Sequence, residues 1–357
     1  MRNNIKYTYS DISIVPEPVT EVRSRSDCHI YKGDSQLPLI TAPMSSVISI
    51  KNFELFKRNG IAPVLPRNED YEDRIEIAEM EFAAFSLTEF ESLYKSEALN
   101  KDKKYWICID IANGHMKALH NAIREAKEKY PNLIIMSGNV ASPEGYVALS
   151  DAGCDWVRIG IGAGGACITS SNSGVHYPMA SLVRDCWEIS QTLVNPALIV
   201  ADGGIRGFSD ITKALALGAD YVMCGTIFNK MLESAGETRT AENTTDDEYD
   251  EQFVVVDQYS DLAKYNFKHG TLYHKIFYGM STRRAQVEMG NTFTKTSEGI
   301  EKTQLVEYTM EQWIDNFSHY LKSVMSYTNR THIEDLIGLP DSNFIIMSPN
   351  SIAAINK

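Results

Sequence analysis

One stretch of the chain, residues 156–169, has the composition of a reactive loop. It begins as an apolar run, continues through four glycines and reaches a cysteine, Cys167. Glycine allows backbone angles that other residues avoid and lets a ligand approach the main chain closely. A thiol on such a loop can act as a nucleophile through its thiolate form. The alternative is a buried cysteine that behaves as a small hydrophobe, and the glycine loop favours the nucleophile.

Three further glycine-containing segments follow later apolar runs and are typical of phosphate binding. They are Asp202-Gly203-Gly204, Gly225-Thr226 and Gly279-Met280-Ser281. Backbone amides in glycine loops can surround an anion, and the late loops of α/β barrels often bind phosphate. We therefore predict that these segments hold a phosphate group.

The short apolar runs before these loops must position them. Eight such runs alternate with helical segments, at residues 39–43, 61–65, 106–111, 133–138, 156–160, 198–203, 221–225 and 277–281. Most are continuously apolar, as expected for parallel strands covered on both faces. This alternation predicts a (β/α)8 TIM barrel with its site at the C-terminal ends of the strands. The alternative is an open doubly wound sheet. In a dinucleotide-binding sheet of that kind, the GxGxxG motif lies in the first strand–helix unit, and the glycines at 160–162 do not lie in the first unit.

The rest of the chain is expected to complete one barrel domain over residues 1–357. A helix-like stretch, residues 71–97, joins the second and third runs. Residues 236–270 contain an acidic stretch followed by strand-like residues, which predicts a solvated loop and a hairpin. Residues 283–303 are predicted to form a flap, and a helix is predicted over 310–325.

The composition restricts both the partners and the compartment. The net charge is -13 and the pI is about 5.1, which argues against nucleic acid or an anionic membrane as the main partner. The six cysteines form no CxxC pair or zinc pattern. No apolar run reaches the roughly 18 residues of a membrane span, and the N-terminus has no signal-peptide core. These features predict a reducing, cytoplasmic location.

The loop that carries Cys167 resembles the catalytic-cysteine loop of the IMP dehydrogenase and GMP reductase family. The resemblance extends from Tyr9 to about Asn329. It implies that the thiolate adds to C2 of a purine nucleotide and forms a thioimidate. In the dehydrogenase branch, hydride then leaves to NAD and water hydrolyses the adduct. In the reductase branch, ammonia leaves C2 of GMP and NADPH delivers a hydride, which gives IMP.

The residues around the predicted flap resemble the reductase branch more closely. The sequence KTSEG at 295–299 is similar to the reductase segment RASEG, in which a glutamate linked through a threonine protonates the departing amine. The resemblance therefore assigns catalytic roles to Cys167, Thr169 and Glu298. The dehydrogenase instead activates water with an Arg-Tyr pair, and no Arg-Tyr dipeptide follows Ser281.

The same resemblance assigns binding residues. It implies that Asp202 hydrogen-bonds the ribose hydroxyls, and that the remaining nucleotide contacts are Met44, Gly164, Gly165, Gly203, Gly204, Gly225, Thr226, Gly279, Met280, Ser281, Lys295, Thr296, Ser297 and Gly299. The implied NADPH contacts are Ser24, Arg25, Arg67, Asp110, Ile111, Ala112, Ile161, Gly162, Ser323, Val324, Met325 and Ser326. A monovalent cation such as K⁺ would bind the backbone of Gly160, Gly162 and Cys167.

Two positions depart from the family pattern. Relatives have a serine two residues before the cysteine, where it helps to hold the phosphate, and this chain has Gly165. After the second strand, reductases have His-Lys-His, and here Pro66 replaces the lysine; Arg67 is expected to reach the same place.

We also predict that Arg25 pairs with the 2′-phosphate of the cofactor, which would select NADPH. The alternative is a solvated arginine.

Three functions are compatible with these observations. The first is a GMP reductase-like enzyme. The second is an IMP dehydrogenase without the regulatory module that many of them carry, because residues 67–105 contain no separate domain. The third is a barrel that binds purine nucleotide with little catalysis. The resemblance implies a homotetramer, and the sequence leaves open the identity of the base, the sugar and the nicotinamide cofactor.

Overall fold

The computed structural model describes residues 5–165, 167–243, 251–290 and 299–355. Its strands are β1 (Ile12–Ile14), β2 (Leu39–Thr41), β3 (Val64–Leu65), β4 (Phe82–Phe85), β5 (Tyr105–Asp110), β6 (Leu133–Val140), β7 (Trp156–Ile159), β8 (Leu198–Asp202), β9 (Tyr221–Cys224), β10 (Thr238–Asn243), β11 (Glu251–Val256), β12 (His274–Tyr278), β13 (Glu301–Leu305) and β14 (Phe344–Ile346). Its α-helices are α1 (Ile50–Arg58), α2 (Tyr71–Ala78), α3 (Leu87–Lys95), α4 (Lys117–Lys129), α5 (Pro143–Ala152), α6 (Thr169–Ser173), α7 (Met179–Ser190), α8 (Phe208–Leu217), α9 (Thr226–Asn229), α10 (Asp261–Lys268), α11 (Arg283–Glu288), α12 (Met310–Tyr327), α13 (Ile333–Leu336) and α14 (Pro349–Ile355).

Eight parallel strands form one sheet in the order β2-β9-β8-β7-β6-β5-β4-β3. The two end strands meet, because Ile40 of β2 forms a parallel bridge with Ala62, just before β3. The Thr41 N–H donates to the Ala62 carbonyl at 2.9 Å across this junction. Helices connect the strands, so the predicted (β/α)8 barrel is confirmed.

The prediction that residues 277–281 supply the eighth barrel strand is wrong. That run overlaps the end of β12, which pairs antiparallel with β10 and β13 in a separate four-stranded sheet. The barrel instead contains β4, which lies within the stretch predicted to be helical. Its sequence is FAAF. So short a run, half of it alanine, carries no pattern that separates a buried strand from a helix.

Apolar side chains fill the barrel and the layer between its strands and helices. Inside the barrel, the Phe82 and Trp156 rings lie 5.2 Å apart, and the Trp156 and Tyr221 rings lie 4.5 Å apart. In the outer layer, α12 agrees with the helix predicted over 310–325 and buries Trp313 and Phe317 on one face. A rigid barrel of this kind holds its strand ends, and the loops after them, in fixed positions.

The insertion predicted at residues 236–270 contains β10 and β11, which pair antiparallel. Thr238 lies opposite Val256 at one end of the pairing, and Asn243 lies opposite Glu251 at the other. The acidic residues 244–250 lie outside the described residues. The predicted flap begins with α11, and residues 291–298 also lie outside the description. Within the described ranges, no helix has the length and apolar character that crossing a bilayer requires.

Candidate active site

A cavity of about 300 Å³ opens among the C-terminal ends of the barrel strands. The predicted site residues that line it are Met44, Arg67, Asp110, Ile111, Ala112, Gly164, Gly165, Cys167, Asp202, Gly203, Gly204, Gly225, Thr226, Gly279, Met280 and Ser281. Because all parallel strands of the barrel end at the same face, loops that are distant in the sequence share this cavity.

Cys167 is half-buried at the cavity wall, whereas the other five cysteines are buried. Burial raises the pKa of Cys108 to about 12 and also raises the pKa values of Cys154 and Cys224. Those thiols therefore stay protonated and inert at neutral pH. The Cys167 Sγ donates to Thr169 Oγ1 at 3.3 Å. Of the six cysteines, Cys167 is thus the one that lines the cavity.

The loop before Cys167 depends on two glycines in left-handed or related backbone conformations. Gly160 has a φ of +126° and Gly162 a φ of +73°. A Cβ on Gly162 would lie 2.5 Å from the Cβ of Ser170. A larger residue would therefore displace the beginning of α6. The two glycines turn the chain after β7 and bring the thiol to the cavity.

Within the predicted flap, the chain returns to Cys167. The backbone of Gly299 forms an antiparallel bridge with Cys167. Gly299 follows Glu298 directly, but Lys295, Thr296, Ser297 and Glu298 lie outside the described residues. The roles assigned to these four residues therefore stay predictions.

A row of four side chains of alternating charge lies along the cavity wall. Its members are Arg67, Asp110, Arg158 and Asp202. Arg158 donates to Asp110 Oδ1 at 2.8 Å and to Asp202 Oδ2 at 2.9 Å. Arg67 Nε lies 3.2 Å from Asp110 Oδ2. Burial alone would raise the pKa of Asp110, but the positive charges of Arg158 and Arg67 outweigh it and lower that pKa. Asp110 therefore stays ionised between the two arginines.

Sequence reasoning misses two side chains at this row, Arg158 and Asn139. Arg158 is 6% exposed and lies within the apolar strand β7. A buried arginine must be paired with acids, so this signal could have identified it. Asn139 donates from Nδ2 to Asp202 Oδ2 and to the Gly160 carbonyl, both at 2.8 Å. Nothing in the local sequence distinguishes this asparagine from others.

Asp202 ends β8 with one carboxylate oxygen bonded to the protein. Oδ2 accepts from Arg158 and Asn139. Among the described residues, none is found to bond Oδ1, which can therefore accept from a ligand in the cavity that Asp202 lines. The geometry is compatible with the ribose contact predicted for this residue.

We expect Asp202→Ala to weaken nucleotide binding by about 2 kcal/mol or more, because the hydroxyls would lose their acceptor. The preference for ribose over deoxyribose should narrow as well. Calorimetric Kd values for ribo- and deoxyribonucleotides measure both effects. Asp151→Ala, which removes an exposed aspartate of α5, is the control and should leave the Kd unchanged. An unchanged Kd in Asp202→Ala would exclude this residue from the site.

The glycine at position 165 is matched by the side chain of Thr226. A Cβ on Gly165 would lie 2.5 Å from Thr226 Oγ1. Both residues line the cavity. The threonine hydroxyl therefore occupies space that the serine of relatives would need.

We expect Gly165→Ser to raise the Kd for nucleotide about tenfold, because overpacking moves the loop. The double variant Gly165→Ser/Thr226→Ala removes the collision and should bind within about threefold of the single variant Thr226→Ala, which gives the cost of the lost hydroxyl. Titration of the three variants with nucleotide tests this coupling. If Gly165→Ser binds as tightly as wild type, the two side chains do not compete for space.

Four of the predicted cofactor residues, Arg67, Asp110, Ile111 and Ala112, line the cavity. Arg67 reaches it from the position after Pro66 and lies beside Asp110. The Arg67 side chain therefore supplies a positive charge near the position where the family resemblance expects a lysine and this chain has Pro66.

The other predicted cofactor residues lie outside the cavity lining. They are Ser24, Arg25, Ile161, Gly162, Ser323, Val324, Met325 and Ser326. Arg25 donates to Ser323 Oγ at 2.9 Å, so the N-terminal segment and α12 meet at the surface. Met325 is fully buried on the inner face of α12. Its side chain packs in the core and has no surface to offer a cofactor, which corrects that assignment.

Two of the three carbonyls predicted to hold a cation, those of Gly160 and Gly162, already accept hydrogen bonds. Asn139 donates to Gly160 O, and Ser170 Oγ donates to Gly162 O, each at 2.8 Å. A carbonyl has two lone pairs, so both oxygens retain capacity for a ligand. Across the described part of the chain, no group of three or more His, Cys, Asp or Glu side chains is arranged to hold a metal. The K⁺ site stays a prediction.

The sequence model of the family described as "IMP dehydrogenase / GMP reductase domain" matches residues 6–354. The GMP reductase of Chromobacterium violaceum is 34% identical over 239 residues, covering 64% of this chain and 74% of that protein. The GMP reductase of Staphylococcus aureus strain JH9 is 35% identical over 247 residues, covering 65% and 74%. The inosine-5'-monophosphate dehydrogenase of Chlorobaculum parvum is 34% identical over 230 residues, covering 64% and 43%. The chain belongs to the IMP dehydrogenase / GMP reductase family.

Proposed function

We propose that this protein is an NADPH-dependent GMP reductase, which converts GMP to IMP and ammonia. The observation that carries the proposal is the cavity itself. Its wall combines the half-buried Cys167, the three glycine loops and the segment Asp110-Ile111-Ala112. A nucleotide and a nicotinamide bound there would meet at the thiol. The GMP reductase names of relatives at similar identity support the same choice.

In the first proposed step, the Cys167 thiolate attacks C2 of GMP and forms a carbon–sulfur bond. The carbon–nitrogen bond to the amine then breaks, which leaves a thioimidate. Ammonia is a poor leaving group unless it is protonated. A proton donor beside the amine is therefore required.

We assign this proton transfer to Thr169 and Glu298. Thr169 Oγ1 lies 3.3 Å from Cys167 Sγ, so it is close to the atom that bonds C2. The backbone bridge between Gly299 and Cys167 brings the residue after Glu298 to the same place. By the family resemblance, Glu298 would supply the proton through the Thr169 hydroxyl.

The residues that would hold NADPH are Arg67, Asp110, Ile111 and Ala112, with Arg25 and Ser323 as surface contacts. At the cavity wall, Arg67 and Asp110 offer charged groups, and Ile111 and Ala112 offer apolar contacts, which together suit an amide-bearing ring. When bound, NADPH would supply the hydride that reduces C2. Departure of the thiolate from C2 then releases IMP and regenerates Cys167.

An assay with two arms tests this proposal. Purified protein is given GMP with NADPH in one arm and IMP with NAD in the other, and the absorbance of the reduced nicotinamide is followed. We expect consumption of NADPH in the first arm to be much faster than formation of NADH in the second. Faster oxidation of IMP would contradict the proposal.

The second candidate is an IMP dehydrogenase that lacks a regulatory module, because a dehydrogenase of similar identity is also a relative. That reaction needs a base to activate water. The Arg-Tyr pair that serves this role in the dehydrogenase branch does not occur after Ser281. A barrel that binds purine nucleotide with little turnover is the third candidate, and both arms of the assay would then be slow.

A further inference from the structure

A second cavity begins where the proposed phosphate site ends. It has a volume of about 660 Å³. Five residues line both cavities, namely Gly164, Gly165, Gly204, Ile205 and Thr226. The glycine loops are therefore a shared boundary. A ligand whose phosphate contacts these loops has the second cavity directly beside that phosphate.

The second cavity is lined by more positive than negative side chains. Arg206, Lys230 and Lys302 line it together with a single carboxylate from Asp210. The whole chain has a net charge of -13, so this excess is local. Lys230 pairs with Glu307 at 2.6 Å. Arg206 and Lys302 form no ion pair with any carboxylate that the structure describes.

Lys302 lies at the boundary between the two cavities. Its Nζ donates to the Gly165 carbonyl at 3.2 Å. Burial lowers the pKa of Lys302, and the positive charge of Lys230 lowers it further. An anion between these cations would offset their repulsion. The position of Lys302 beside the Gly165 carbonyl, the excess of positive side chains and the repulsion between Lys302 and Lys230 all favour an anion bound next to the glycine loops.

We infer that the nucleotide site continues into this second cavity and accepts a purine nucleoside diphosphate. The first phosphate contacts the glycine loops, and the second phosphate contacts Lys302 and Arg206. This inference rests on the proposed function, because that function places the first phosphate on the loops. It adds a substrate or ligand class with a longer phosphate chain than GMP.

Calorimetric titration of the intact protein with GMP, GDP and inorganic pyrophosphate tests the inference. We expect GDP to bind at least about tenfold more tightly than GMP, because the added phosphate forms charge-assisted hydrogen bonds. Lys302→Gln/Arg206→Gln should lose this difference and bind GMP within about threefold of wild type. The control Lys264→Gln/Lys268→Gln removes two charges from α10 and should keep the difference.

Equal Kd values for GMP and GDP in the wild type would overturn the inference. A preference for GDP that survives in Lys302→Gln/Arg206→Gln would overturn it as well. Pyrophosphate that binds as tightly as GDP would show that the nucleoside is not recognised, and would also overturn it. Turnover of GMP in the same preparations separates the two proposals. Turnover without a GDP preference contradicts only the extension, whereas failure to bind any guanine nucleotide contradicts both.

Discussion

Replacement of Cys167 by alanine should give a protein that binds GMP but does not reduce it. Loss of a covalent nucleophile removes the step on which all later steps depend, so we expect kcat to fall by at least about 10,000-fold. The Kd for GMP should change little, because the glycine loops and Asp202 carry the binding. Steady-state kinetics and calorimetry on the same preparation measure the two quantities separately.

The matched control for this variant is Cys154→Ala. Cys154 is buried beside the N-terminal end of β7 and does not line the cavity. This variant loses a thiol from the same βα unit and should keep its activity. Mass spectrometry of wild type mixed with GMP should detect a covalent adduct that is missing in Cys167→Ala. Appreciable turnover by Cys167→Ala would exclude the covalent route.

Glu298→Gln should block release of ammonia from GMP while it spares hydride transfer. Glutamine has nearly the same shape but cannot donate the proton, and loss of a general acid typically costs about 100- to 10,000-fold in rate. Hydride exchange between IMP and NADP does not involve the amine, so its rate should fall much less. Isotope exchange measures the second rate, and ammonia release measures the first.

A nearby glutamate provides the control for this variant. Glu301 begins β13, three residues after Glu298, and its carboxylate lies 3.5 Å from Arg284. Glu301→Gln also removes one negative charge from this segment. It should leave the rates of ammonia release and of hydride exchange close to those of wild type. An equal loss of both rates in Glu298→Gln would show that the residue supports the structure of the site and does not donate the proton.

The barrel could be predicted from the sequence because most of its strands are buried on both faces, and several end in aspartate or are followed by glycine. β7 and β8 show this pattern clearly. β4 does not, since FAAF is too short and too rich in alanine to indicate a strand. The apolar run of β12 is equally misleading. Its residues are buried in a separate antiparallel sheet, and apolar character alone does not specify a partner strand.

The candidate site was predictable where local sequence determines local structure. Gly164 and Gly165, just before Cys167, line the cavity together with the loops after β8 and β9. The pairing of Arg158 with Asp110 and Asp202 depends on three strands that only the barrel brings together. The burial of Met325 follows from the face of α12 that meets the core. The apolar residues Trp313, Phe317, Leu321 and Met325 recur every four residues, so the helical period of α12 already indicates that face.

The reductase assignment is tested most directly by a product balance. The protein is incubated with GMP and NADPH, and IMP, ammonia and oxidised cofactor are quantified in the same sample. We predict that the three products appear in equal amounts, and that Cys167→Ala forms none of them. Formation of XMP from IMP and NAD under matched conditions, without IMP or ammonia from GMP, would contradict the account.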